Sequence, residues 1–108
     1  MARHTMLVLV NAKEGRDEEF NRWYEDVHLT DILAVPGFIA ARRFEAADVQ
    51  MTGVPKHRYM TLYEIETDDI AQAIKDLGAA AGSMDLSDAM DMHGGVSVVY
   101  SLTSEREG

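Results

Sequence analysis

The stretch from Trp23 to Phe38, WYEDVHLTDILAVPGF, holds the residues whose types and spacing could do chemistry. His28 continues a helical stripe of Phe20, Trp23, Tyr24 and Val27, at a position where a leucine would pack better. Asp31 stands three residues on, within reach of the ring if the helical path continues. A partly buried imidazole beside a carboxylate can shuttle a proton near neutral pH. The plainer alternative is a histidine at a helix end that meets the last carbonyls and the negative end of the dipole. Pro36 and Gly37 break the helix, so that end lies at a rim where a cavity can open.

Other polar residues point to a site less sharply. Tyr59, Thr61 and Tyr63 alternate along one strand and share a face, an unusual density of hydroxyls for a sheet interior. Tyr24, Tyr59 and Tyr63 are candidate donors to a developing oxyanion, and Trp23 would shape an apolar wall. Arg43 lies opposite Arg42, Phe38 and Phe44, so one arginine must point inward or find a carboxylate such as Glu64; a structural ion pair is the expectation. Met84, Met90 and Met92 crowd what reads as the end of the second helical region, where methionine makes an adaptable lining or fills core gaps. His93 reads as a helix cap, His57 as solvated and His4 as terminal. His28 and Asp31 supply only two ligands and no HExxH or His-x-His spacing exists, so no metal and no cofactor are expected. GxGxxG, GxxxxGK[ST] and GxSxG are all missing, which removes support for nucleotide binding and serine hydrolysis.

Elements that would position these groups follow from periodicity. Residues 5–10, TMLVLV, form an apolar run expected of a strand. Asp17, Glu18 and Glu19 open a helix, where acids favour the dipole. FIAARRF (38–44) reads as a second strand, EAADVQMTGVPKH as a loop, and RYMTLYEIE (58–66) as a third strand. Thr67 or Asp68 can cap a helix carrying Ile70, Ala73, Ile74 and Leu77. GAAAGS interrupts it, MDLSDAMDMH reads as a further short helix closed by Gly94 and Gly95, and VSVVYSL is the last strand. The order is β-α-β-β-α-β, the ferredoxin-like arrangement of the α+β class, in one domain over 1–108. Both helices then cover one face of a four-stranded antiparallel sheet. Strands one and four are apolar on both sides, so the open face is an association surface, and two copies packed sheet to sheet would close it.

A net charge of -9 argues against nucleic acid and anionic membranes as partners, and no basic patch exceeds Arg42-Arg43. Cysteine is absent, which excludes disulfides and thiol nucleophiles and fits a reducing compartment. The N-terminal apolar run is too short to span a bilayer and no small-residue cleavage site follows it, so a cytoplasmic location is expected.

GRDEEFNRWYEDVHLTDILAVPGFIAARRF followed by HRYMTLYEIETDD resembles the EthD-like branch of the dimeric α+β barrel superfamily, over Met6 to Leu102. The resemblance implies a homodimer with facing sheets and a small pocket in each subunit between sheet and helices. Relatives include lactone isomerases, polyketide cyclases, metal-free monooxygenases, haem-degrading enzymes and proteins with no assigned activity. In the methylmuconolactone isomerase relatives a histidine at the end of the first helix, before a similar PG turn, lines that pocket, and His28 matches it. Their accompanying cysteine has no counterpart here, and no histidine falls mid-way along the second long helix, where haem binding would want one. The expectation is cofactor-independent proton transfer (isomerisation, cyclisation or dehydration) on a small cyclic or aromatic carbonyl compound, with His28 as acid or base and Asp31 orienting it. The alternative is a non-catalytic binding or accessory protein using the same pocket.

Overall fold

The computed structural model describes residues 1–108. Four strands, β1 (Arg3–Ala12), β2 (Phe38–Glu45), β3 (Tyr59–Glu66) and β4 (Met90–Ser101), pair antiparallel in the order β2-β3-β1-β4. Between β1 and β2 run α1 (Asp17–Trp23), a π-helical turn (Tyr24–His28) and α2 (Leu29–Leu33); α3 (Ile70–Ala81) links β3 to β4. Side-chain alternation assigns the two faces. Tyr59, Thr61, Tyr63 and Ile65 of β3 are buried beneath the helices, as are His4, Met6 and Val10 of β1. Leu7, Leu9, Met60 and Leu62 lie on the other face.

The π-helical turn follows from spacing. Phe20, Tyr24, His28 and Ile32 recur every four residues, and at ~100° per residue such a row drifts by about 120° over three steps. One widened turn, in which the Leu29 amide donates to the Tyr24 carbonyl five residues back, absorbs an extra residue and turns Ile32 back onto the sheet, where it is buried. Such widened turns often mark functional positions.

The helix stops where the sequence indicates. Gly37 adopts φ +90°, and a Cβ there would stand 3.2 Å from the Glu66 carbonyl oxygen, so both the backbone and the close approach favour glycine. A register shift between Phe38 and Ala40 then brings Phe38 opposite Ile65 on the helix side. That corrects its expected placement beside Arg42. The bulge moves one residue across the sheet, as an extra residue in a strand of period two must.

Further expectations change. Asp69, rather than Thr67 or Asp68, caps α3, its carboxylate accepting from the Gln72 amide at 3.1 Å. The helix is not interrupted at GAAAGS but runs through Gly78 to Ala81, because consecutive alanines sustain it at little cost. MDLSDAMDMH forms no helix. Ser87 Oγ accepts from the Ala89 amide and Asp91 Oδ1 from the His93 amide, local bonds that compete with helix formation, and β4 already begins at Met90, opposite Ala12. His93 and Gly94 therefore lie in a strand, not at a helix end. His4 is no free terminal residue either: it is buried, with Ser101 Oγ 2.8 Å and the Thr67 carbonyl 3.3 Å from its ring nitrogens. His57 meets the Gly94 carbonyl rather than bulk water.

Two apolar clusters hold the layers together. One gathers Met6, Ile32, Val35, Phe38, Tyr63, Ile65 and Ala73; the other gathers Val10, Phe20, Trp23, Tyr24, Tyr59 and Ala89. Val8 and Leu29 touch both. Each large side chain buried this way contributes roughly 1.5–3 kcal/mol. No helix is long and apolar enough to cross a membrane.

Candidate functional site

Where the two clusters meet, packing is incomplete. A cavity of about 300 Å³ lies between the sheet and the helices, and thirteen of its seventeen lining residues are hydrophobic. Its floor is Met6, Val8 and Val10 of β1 with Tyr63 of β3; Tyr24, His28 and Ile32 come from the first helical segment, Leu77 and Ala81 from α3. Met84 and Leu86 from the α3–β4 connection and Met90, Asp91, Met92, Gly95, Val96 and Ser97 of β4 complete the wall. This volume lies at the small end of ligand sites, and a mostly apolar wall with few polar groups is their usual character.

His28 lines the cavity, brought there by the widened turn. Trp23 stacks on its ring at 4.5 Å between centroids, and the edge of Tyr24 meets it at 5.0 Å. These rings strip water from the imidazole, and that desolvation lowers its pKa from the ordinary value; Asp31 opposes the shift through space only. The neutral form therefore dominates at neutral pH. Nδ1 is buried with no hydrogen-bond partner. A neutral imidazole with an uncommitted nitrogen can accept or give a proton.

Two phenols share this lining. Tyr24 and Tyr63 are each 1% exposed, with their oxygens 3.2 Å apart. Burial, followed by the neighbouring Tyr24, pushes the Tyr63 phenol far above its usual range, while Arg43 partly offsets the rise. The Tyr63 hydroxyl thus keeps its proton, as a hydrogen-bond donor must.

The expected site residues thus divide. His28, Tyr24, Tyr63, Met84 and Met90 converge on the cavity. Trp23 does not line it: it backs the His28 ring and donates from Nε1 to the Asp85 carbonyl at 2.8 Å, tethering the α3–β4 connection. Tyr59 faces away toward α1, donating to Asp17 Oδ2 at 2.6 Å, and its phenol is raised first by burial and then by that bond. Asp31 makes no hydrogen bond with His28, because the ring turns inward to the cavity. Met84 lies in the connection and Met90 and Met92 in β4, not in a helix. Arg43 pairs with Glu25 at 2.8 Å, whereas Glu64 takes Arg42 and Arg3. Asp91 escaped notice in the sequence because its place on the cavity depends on β4 starting early, and Ser97 because its side of the sheet is set only by pairing with Val8. No three His, Asp or Glu side chains converge as a metal site would need.

No protein-family model and no curated protein matches the sequence. Solved structures do match along nearly the whole chain. An EthD family protein from Bacillus halodurans C-125 superposes with a TM-score of 0.61 at 14% identity, over 95% of this chain and 100% of that one. A dimeric ferredoxin-like protein of unknown function from Thermobifida fusca YX gives 0.58 at 11%, over 94% and 92%. The fold is ferredoxin-like. MhuD, a haem-degrading protein of Mycobacterium tuberculosis with two haems bound in its active site, shares it at a TM-score of 0.62 and 15% identity, over 96% and 99%. At such identities the ferredoxin-like frame is what is common.

Proposed function

We propose that the cavity is a small-molecule site in which His28 transfers a proton to and from a small cyclic or aromatic carbonyl compound. One observation carries this reading: His28, its imidazole held neutral by burial, and the hydrogen-bonded phenols of Tyr24 and Tyr63 line the same apolar hollow. His28 would take a proton from the carbon next to the carbonyl. The Tyr24–Tyr63 pair would donate to the oxygen on which negative charge develops, and the imidazolium would return the proton to the isomerised or cyclised skeleton. Met84, Met90 and Met92 would adapt the wall to the ligand.

The lining has no lysine or arginine. A carboxylate-bearing ligand would find no counter-charge there, and a porphyrin would find nothing to meet its propionates, so these residues do not fit a haem. This wall therefore disfavours anionic ligands.

A second reading keeps the ligand and drops the chemistry. It draws on Asp31, which leaves the imidazole without the oriented hydrogen bond that acid–base histidines commonly have. In this reading the chain is a binding or accessory protein.

Homodimerisation belongs to both readings. Leu7, Leu9, Met60, Leu62, Phe44, Val96, Val98 and Tyr100 form an apolar open face, and Phe44 and Tyr100 are 43% and 63% exposed. A face of this kind marks an association surface, and the Thermobifida neighbour is described as dimeric. The cysteine-free sequence fits a cytoplasmic setting.

Exchange of α-protons tests the chemistry without knowledge of the natural substrate. With 1-indanone in D2O, the protein should accelerate deuterium incorporation at C2 and His28→Ala should lose the acceleration. Equal exchange by both proteins, with the ketone bound, would leave only the binding reading.

A further inference from the structure

Arg43 reaches from β2 beneath the first helix and is only 15% exposed. Its guanidinium carbon lies 4.3 Å from the centre of the Tyr24 ring, with the Phe20 and Tyr59 rings at 5.7 and 5.8 Å. Nη1 donates to Glu25 and Nη2 to Asn21 Oδ1, each at 2.8 Å, while Nε is buried without any partner. A merely structural arginine would satisfy its donors, since each buried unpaired group costs free energy. Glu25, the carboxylate it pairs with, is more than half exposed, so water screens that carboxylate and the positive charge is only partly cancelled on the aromatic side. The guanidinium does not line the cavity; the Tyr24 ring separates the two.

We infer that Arg43 is a positioning residue of the cavity site: its charge on the face of Tyr24 makes Tyr24 the donor to Tyr63 and leaves the Tyr63 hydroxyl to donate to a ligand oxygen. A cation over a phenol ring draws electron density from it and strengthens its O–H as a donor. The Tyr24–Tyr63 contact, which geometry alone leaves open to either direction, then runs from Tyr24 to Tyr63. Each bond in such a row polarises the next, so the last donor, Tyr63, is the stronger for it. Burial keeps the row away from water, where the same charge would be screened. The ligand class follows. The row ends in a donor, so it rewards an acceptor oxygen on an otherwise apolar ring system and gives nothing to the hydrocarbon. This inference rests on the proposed use of the cavity, and the experiment separates the two.

Affinities of 1-indanone, which carries an acceptor carbonyl, and of indane, its hydrocarbon counterpart, are measured for the wild type and for Arg43→Met, Arg43→Lys and Tyr24→Phe. The bound carbonyl stretching band is recorded by infrared difference spectroscopy. The wild type should favour indanone, and Arg43→Met should cut that preference roughly threefold to tenfold while leaving indane binding unchanged. The carbonyl band should move to higher frequency. Tyr24→Phe keeps the ring but cannot donate and should copy Arg43→Met; Arg43→Lys should restore part of the preference. If Arg43→Met fails to fold, Tyr24→Phe and Arg43→Lys decide by the same readouts. Equal weakening of both probes with an unmoved band overturns the inference and leaves the cavity reading intact. Failure of the wild type to bind either probe overturns the cavity reading and the inference with it.

Discussion

Replacing Trp23 by Phe isolates what the indole does. In the structure it acts twice, neither time on the cavity surface: Nε1 holds the Asp85 carbonyl at 2.8 Å, and the ring stacks on His28 at 4.5 Å. Losing the tether costs about 0.5–1.5 kcal/mol, toward the low end because the freed carbonyl lies at an exposed residue that water reaches. Losing part of the aromatic stack adds about 0.5–1.5 kcal/mol. The total of about 1–3 kcal/mol should lower Tm by at least ~4 °C in a domain of this size. Because Trp23 is the only tryptophan, unfolding in urea is best followed by far-ultraviolet circular dichroism. The same substitution lets water closer to His28, and since desolvation is what lowers that pKa, NMR titration should find it moved up toward the ordinary imidazole value. A loss below about 0.5 kcal/mol together with an unmoved His28 titration would refute the assignment of both jobs to Trp23.

Three further outcomes follow from other parts of the fold. Because the folded imidazole of His28 binds its proton less readily than the unfolded one, its contribution to stability is present above the unfolded value near 6.5 and is lost as pH falls below it; His28→Asn should show a shallower fall in urea midpoint than wild type below that pH, and parallel curves would contradict the burial. Gly37→Ala meets both a positive φ and the Glu66 carbonyl, so it should cost about 1–3 kcal/mol by chemical denaturation, and a neutral result would mean the turn differs. Val98→Asp puts a charge on the open apolar face, so sedimentation should show a dimeric wild type and a folded, monomeric variant; a monomeric wild type, or a variant as dimeric as wild type, would contradict the proposed interface.

The order of elements was legible because the apolar run of β1, the alternation in β3 and the acidic start of α1 are local signals that the packing confirms. Phe38, the end of α3 and the start of β4 were not, for physical reasons. A bulge that flips Phe38 leaves no trace in a strand pattern of period two. An alanine run containing one glycine continues or stops according to what it packs on. MDLSDAMDMH carries apolar spacing that suits a helix, yet β1 offered an edge needing a partner. The site shows the same division. His28, Tyr24 and Tyr63 were readable from the stripe and the alternation, whereas Trp23 and Tyr59 share those patterns and point to other partners. The tethering of Asp85, the placement of Asp91 and Ser97, and the guanidinium behind Tyr24 depend on contacts between residues far apart in the chain.

The most direct measurement is a titration with 1-indanone followed by NMR on protein labelled at histidine. Binding should saturate, shift the His28 ring nitrogens, leave those of His4, His57 and His93 in place, and give nuclear Overhauser contacts from the ligand to His28 and Tyr63. Saturable binding whose contacts fall outside the cavity, with His28 unmoved, would contradict the proposed site.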